Sequence, residues 1–188
     1  MKAQDPVVQT PAERRAAETK LAELVERFAP DHARLVMGLR RALRKRMPRA
    51  HEVVYEYRDC VVISVSPSQR GYEGVFAIRA EDQGVKLYFN SGASLADPQK
   101  LLKGSGTQVR WIGVQATSDL TKPAIAELMD AALAHSRVAF TQDAKGTIVI
   151  RETTASAKAK PARKKASKAT GVPRRTSAKK AKTPKKSG

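Results

Sequence analysis

Thirteen basic side chains and no acidic one fall in residues 155–188: Lys158, Lys160, Arg163, Lys164, Lys165, Lys168, Arg174, Arg175, Lys179, Lys180, Lys182, Lys185 and Lys186. Side chains of this kind at this density suit one task. They displace the counterions condensed along a nucleic acid's phosphates and need no fixed geometry to do it. Sequence-independent binding through phosphates is therefore the function they predict, with DNA expected ahead of RNA. The segment is otherwise Ala, Pro, Ser and Thr with Gly171, Val172 and Gly188, a composition that cannot build a core, so disorder is expected. Its prolines interrupt helices but leave an extended path along phosphates open. The plainer alternative is a tail that only solubilises. An anionic membrane is a poor partner, because no hydrophobic anchor or amphipathic stripe accompanies the charge.

Other groups able to do chemistry also have plainer roles. Arg40, Arg41, Arg44, Lys45, Arg46 and Arg49 crowd the end of a predicted helix. They could face phosphates, or be solvated cations at the negative end of a helix dipole. Lys103-Gly104-Ser105-Gly106-Thr107 has the glycine content of an anion nest. It precedes a strand, however, and lacks the Walker pattern; a structural turn is the favoured reading. Cys60 stands in a β-branched run with no neighbouring base, which favours a buried thiol over a nucleophile. His32, His51 and His135 lack metal-ligand spacing. Tyr55, Tyr57, Tyr88 and Trp111 could line a pocket or stack on bases. Packing in a core or on a sheet face is the commoner fate of strand aromatics. No Ser-His-Asp signature is present, and a non-enzymatic protein without a cofactor is expected.

The charge is unevenly spread. The chain of 188 residues has 36 Lys and Arg against 18 Asp and Glu, a net charge of +18, of which residues 1–154 carry only +5. One cysteine excludes an internal disulfide. Met-Lys-Ala-Gln-Asp-Pro at the N-terminus lacks the apolar run of a signal peptide. No apolar run approaches the roughly 18 residues of a membrane helix. A cytoplasmic location follows as the expectation, with nucleoid association left open.

The elements that must position these groups can be read from periodicity. Residues 1–10 form an arm. Thr10-Pro11-Ala12-Glu13 is a capping box with proline at the first helical position, opening a helix over 11–28 with Leu21, Leu24, Val25 and Phe28 on one stripe. Pro30 breaks it and Asp31 is the predicted cap of a second helix, whose stripe is Leu35, Leu39, Leu43 and Met47. Strands follow over 52–66, interrupted by a turn at Arg58-Asp59. The next strand sets Val75, Ala77 and Arg79 against Phe76 and Ile78, and a hairpin at 81–84 leads into Val85, Leu87 and Phe89 alternating with Lys86, Tyr88 and Asn90. Asp97-Pro98 should start a short helix that Gly104 ends. A strand over 107–114 places Val109, Trp111 and Gly113 on one side. A third helix spans 119–137, and Thr147–Arg151 forms an edge strand. The order argues α+β: one antiparallel sheet of five or six strands backed by helices over residues 11–152, followed by a disordered basic tail over 153–188.

Several stretches carry a resemblance. Arg46-Met47-Pro48-Arg49-Ala50, Val54-Tyr55, Phe89-Asn90-Ser91-Gly92-Ala93, Leu95-Ala96-Asp97-Pro98, Leu101-Leu102-Lys103-Gly104-Ser105-Gly106 and Val109-Arg110 together resemble the YdhG-like domain family over residues 20–152. The resemblance implies an antiparallel sheet backed by helices with a frataxin-like character. One relative is described as an intracellular iron chaperone, so iron binding with an incidental tail is the alternative function. A frataxin-type iron surface needs a ridge of carboxylates. Here Glu13, Glu18, Glu23 and Glu26 are interleaved with Arg14, Arg15, Lys20 and Arg27. On a strand, Glu52 and Glu56 would share one face, with His51 and Asp59 on the other, so no iron ligand is assigned. A small-molecule pocket beneath the Gly92–Gly106 loop is a third reading. The basic segment resembles the C-terminal tails of linker histones and bacterial histone-like proteins.

Overall fold

The computed structural model describes residues 9–140 and 145–152. The thirteen bases of the C-terminal segment and residues 1–8 of the predicted arm lie outside the described residues. The described residues form α1 (Pro11–Val25), α2 (Pro30–Arg46), β1 (His51–Glu56), β2 (Cys60–Ser66), β3 (Phe76–Glu81), β4 (Gly84–Phe89), β5 (Arg110–Val114), α3 (Pro123–Ala134) and β6 (Ile148–Glu152). The class is α+β, with one six-stranded sheet in the order β5-β4-β3-β2-β1-β6. None of the described helices is long and apolar enough to cross a membrane.

β1 to β5 run antiparallel, as alternation and hairpins predict. β6 departs from that expectation: it lies at the edge but pairs parallel with β1, so the sheet is mixed. A parallel pair needs a crossover rather than a hairpin, and the long path through β2–β5 and α3 supplies it. The side chain of Gln9 extends this edge. Its amide donates to the Ile148 carbonyl at 2.9 Å and accepts from the Ile148 N–H at 3.0 Å. The end of the predicted arm is thus tied to the sheet.

The strand periodicity sorts the two faces. Val61, Ile63, Val65, Phe76, Ile78, Ala80, Val85, Leu87, Phe89, Ile112 and Val114 point into the core, where Leu21, Leu24, Val25, Val36, Leu39, Leu43, Leu128 and Met129 of the helices meet them. Phe76 and Phe89 pack edge-to-face, with centroids 5.5 Å apart. The opposite face carries the alternate residues and has no α-helix on it, only the loop with the 3-10 turn at Gly71–Glu73.

Helix boundaries differ from the sequence expectation in four places, and in three of them a proline or a capping carboxylate is the cause. α1 begins at its capping box, with the Thr10 N–H donating to Glu13 Oε2 at 2.7 Å, but ends at Val25. Pro30 is the first residue of α2, and it forces Ala29 into extended backbone, so the turn precedes it. Asp31 is consequently not the cap. It sits in the first turn, paired with Arg34, where the helix dipole favours a carboxylate. The third helix is likewise divided by Pro123: Lys122 is extended, with a 3-10 turn at Thr117–Thr121 before it. The short helix expected after Asp97 is absent. The Asp97 carboxylate accepts from the N–H groups of Leu101 at 3.0 Å and Leu102 at 2.7 Å, closing a turn. Lys100 then takes φ 54°, outside the helical region. Leu101 and Leu102 still pack against the core.

Candidate nucleic-acid interface

The basic end of α2 is divided: Arg40 is buried and Arg44 half-exposed, while Arg41, Lys45, Arg46 and Arg49 are exposed. Arg40 lies on the same stripe as Val36, Leu39 and Leu43 and is 3% exposed. Its guanidinium donates from Nε to Glu52 Oε1 at 2.8 Å and from Nη2 to Glu52 Oε2 at 2.6 Å. Nη1 donates to Glu18 Oε2 at 2.5 Å, and Arg44 reaches the other oxygen of Glu18 at 3.0 Å. Arg46 pairs with Asp130 on α3. Burial alone would lower the Arg40 pKa, but its hydrogen bonds to Glu18 and Glu52 raise it instead. Glu18 shows the mirror effect: burial pushes it up, and Arg40 and Arg44 outweigh that and hold it down. A phosphate-contacting face made of all six bases is therefore excluded. Three pair with carboxylates, and of these Arg46 stays exposed, as are Arg41, Lys45 and Arg49. The sequence carries the signal for this: Val36, Arg40, Leu43 and Met47 recur at helical spacing, and Glu52 shares a strand face with core-facing Val54.

The carboxylates weighed for iron are dispersed. Glu52 serves Arg40, and Glu56 accepts from Arg27 at 3.0 Å. His51 is buried against Thr147, with Nδ1 2.8 Å from Oγ1, and burial lowers its pKa. Asp59 is exposed. Among the described residues no three His, Cys, Asp or Glu gather as a metal ion would require. Cys60 is buried at the start of β2, and burial raises its thiol pKa, as for a structural thiol rather than a nucleophile.

The four aromatic side chains singled out in the sequence converge on the helix-free sheet face. Register fixes this. Tyr88 of β4 lies beside Trp111 of β5 and Ala77 of β3, and the next rung reads Tyr55, Val62, Arg79, Lys86, Gly113 across β1 to β5. Tyr88 and Trp111 have ring centroids 6.5 Å apart at 34°. Tyr55 and Tyr57 stack at 6.4 Å and 26° on β1. By strand spacing the two pairs are roughly 14 Å apart. Lys86 Nζ lies 4.9 Å from the Trp111 centroid and Lys103 Nζ 5.6 Å from it. Glu81 accepts from Arg79 at 3.0 Å and also pairs with Lys86. Burial would raise Glu81, and these cations lower it.

Two loops shape this face. The Lys103–Thr107 stretch is a turn, as expected, and it has a task. The Lys103 N–H donates to the Trp111 carbonyl at 2.8 Å and the Trp111 N–H returns the bond at 3.0 Å. Gly104, at φ 110°, lets the chain turn away while Lys103 stays over the indole. On the other side, residues 67–75 fold over the sheet. Ser64 Oγ donates to the Gly71 carbonyl and Ser66 Oγ to the Arg70 carbonyl, both at 2.9 Å, and Asn90 Nδ2 to the Gly74 carbonyl at 2.6 Å. A Cβ on Gly71 would stand 2.7 Å from Tyr55 Cε2, so only glycine permits the approach. This loop covers Ser64 and Ser66 and leaves Val62, Arg79, Lys86, Tyr88 and Trp111 half-exposed.

A cleft of about 500 Å³ adjoins the loop, between Tyr72, Ser91, Val109 and the end of α3 at Arg137. Tyr72 is 76% exposed and Val109 40%. It is the described counterpart of the pocket considered beneath Gly92–Gly106. Comparison with family models, with curated proteins and with solved structures finds no match.

Proposed function

We propose that this chain binds nucleic acid without reading its sequence, a YdhG-like α+β domain being held on DNA by the basic C-terminal segment. The observation that carries the proposal is the segregation of charge: thirteen bases without an acid in residues 155–188, against a net +5 in the rest. The geometry of α2 supports the same division. Arg40, Arg44 and Arg46 neutralise carboxylates within the domain, which concentrates the available positive charge in the C-terminal segment.

Counterion release makes the test quantitative. If 6 to 10 phosphates are contacted, affinity for duplex DNA falls about 10³- to 10⁵-fold between 50 and 200 mM salt. Full-length protein in which the thirteen bases are replaced by glutamine loses most of that slope. Binding that is insensitive to salt, or unaltered by the replacement, contradicts the proposal.

A further inference from the structure

We propose that the helix-free sheet face is a second contact, a stacking platform for single-stranded nucleic acid centred on Trp111 and Tyr88. The inference rests on the nucleic-acid reading above and adds to it a place and a strand preference. Three observations carry it. The first is position: the two rings sit side by side on adjacent strands, half-exposed, on a face that no helix covers. The second is charge. Lys86 and Lys103 bracket the indole, Arg79 occupies the neighbouring rung, and Arg151 of β6 lies on that rung beyond Tyr55. Against these four cations stands Glu81, which pairs with Arg79 and Lys86, and Arg151 also donates to the Gln69 carbonyl at 3.0 Å, so the group keeps a net positive charge. The third is extent: the outer face of the six-stranded sheet runs from Trp111 and Tyr88 across Arg79 and Val62 to the half-exposed Tyr57 beyond the end of β1, which leaves room for nucleotides beside the two rings.

A duplex cannot use this face, since its bases are already stacked within the helix. An unpaired strand can lay bases on the rings while its phosphates meet the lysines: Lys103 exchanges its cation–π contact for a charge-assisted one, and Lys86 shares its charge between the phosphate and Glu81. Base–aromatic stacking is worth about 1–3 kcal/mol per base by alanine substitution, or roughly 5- to 150-fold in affinity.

The chain has one tryptophan, so Trp111 reports its own contact. Full-length protein is titrated with a thymidine oligonucleotide, a duplex of equal length, and heparin as a polyanion without bases. Binding is followed by anisotropy of the labelled ligand, contact by tryptophan emission. The oligonucleotide should quench Trp111 saturably, with duplex and heparin quenching far less. Tyr88→Ala should weaken single-strand binding 5- to 150-fold and leave duplex binding unchanged, while Tyr88→Phe, which keeps the ring, should restore it. Single-strand binding with silent tryptophan, quenching by heparin equal to that by the oligonucleotide, or an unaffected Tyr88→Ala variant that melts like the parent would overturn the platform. The glutamine-substituted tail separates the two proposals. Quenching that persists in that protein at low salt with unchanged affinity sustains the platform and removes the tail assignment. Tail-dependent binding with no response at Trp111 does the reverse.

Discussion

Arg40 decides how charge is distributed in the domain. It is buried between Glu52 and Glu18, and removing one member of a buried pair leaves an uncompensated charge, at a cost of about 3–5 kcal/mol. Arg40→Met should therefore destabilise by that amount in denaturant titration. Arg40→Met combined with Glu52→Leu should recover much of it, because the pair as a whole offsets its own desolvation. An Arg40→Met variant as stable as the parent would mean the pair is not closed in solution. Acid should act on the same cluster. Glu18 titrates below its ordinary value near 4.5, so its contribution is complete above that pH and is lost as pH falls through the lowered folded value. Asp119 adds a second acid-sensitive point. The ammonium of Lys122 and the N–H groups of Gln115 and Ala116 hold it at about 2 against an ordinary 3.8. Asp119→Ala should cost about 1 kcal/mol at neutral pH, as for a lost cap, and the difference from the parent should shrink as pH falls from 4 through the folded value of about 2. A difference as large at pH 2 as at pH 7 would contradict the assignment.

At the scale of elements, β4 was legible because its alternation is strict: Val85, Leu87 and Phe89 against Lys86 and Tyr88 set which face is buried. β1 and β2 were legible as β-branched runs, whose burial on both faces gives no such alternation, so the shared face of the four aromatics came only with the register. What periodicity could not supply was pairing between distant segments. The parallel edge of β6, the fold of residues 67–75 over the sheet, and the Lys103–Trp111 bridge all join residues far apart in sequence. Local chemistry misled at Asp97, where a carboxylate able to cap a helix closes a turn instead, and at Asp31, where the proline before it had already set the helix start. The loop over residues 67–75 is open to test. Gly71→Ala drives a methyl into the ring of Tyr55 and should cost about 1–3 kcal/mol, as overpacking does. Combining it with Tyr55→Ala should relieve part of that loss, giving a nonzero coupling in a double-mutant cycle. Strict additivity would mean the loop does not rest on Tyr55.

For the whole molecule, charge and core are divided along the chain. The domain pairs Arg40, Arg44 and Arg46 with its own carboxylates and buries an apolar core between helices and sheet; the C-terminal segment carries most of the net charge and almost no large apolar residue. Composition alone made that division readable. It did not show that Arg40 is buried and that Arg44 and Arg46 pair with carboxylates, because these pairs depend on carboxylates from other elements. The central claim is that the C-terminal segment holds the protein on nucleic acid through phosphates. Its most direct test is the salt dependence of duplex DNA binding by the full-length protein beside the protein with its thirteen C-terminal bases changed to glutamine. The account predicts a steep log–log slope, about −0.9 per phosphate contacted, that collapses in the substituted protein. Equal slopes and affinities would contradict it and move the contact to the exposed bases of the folded domain.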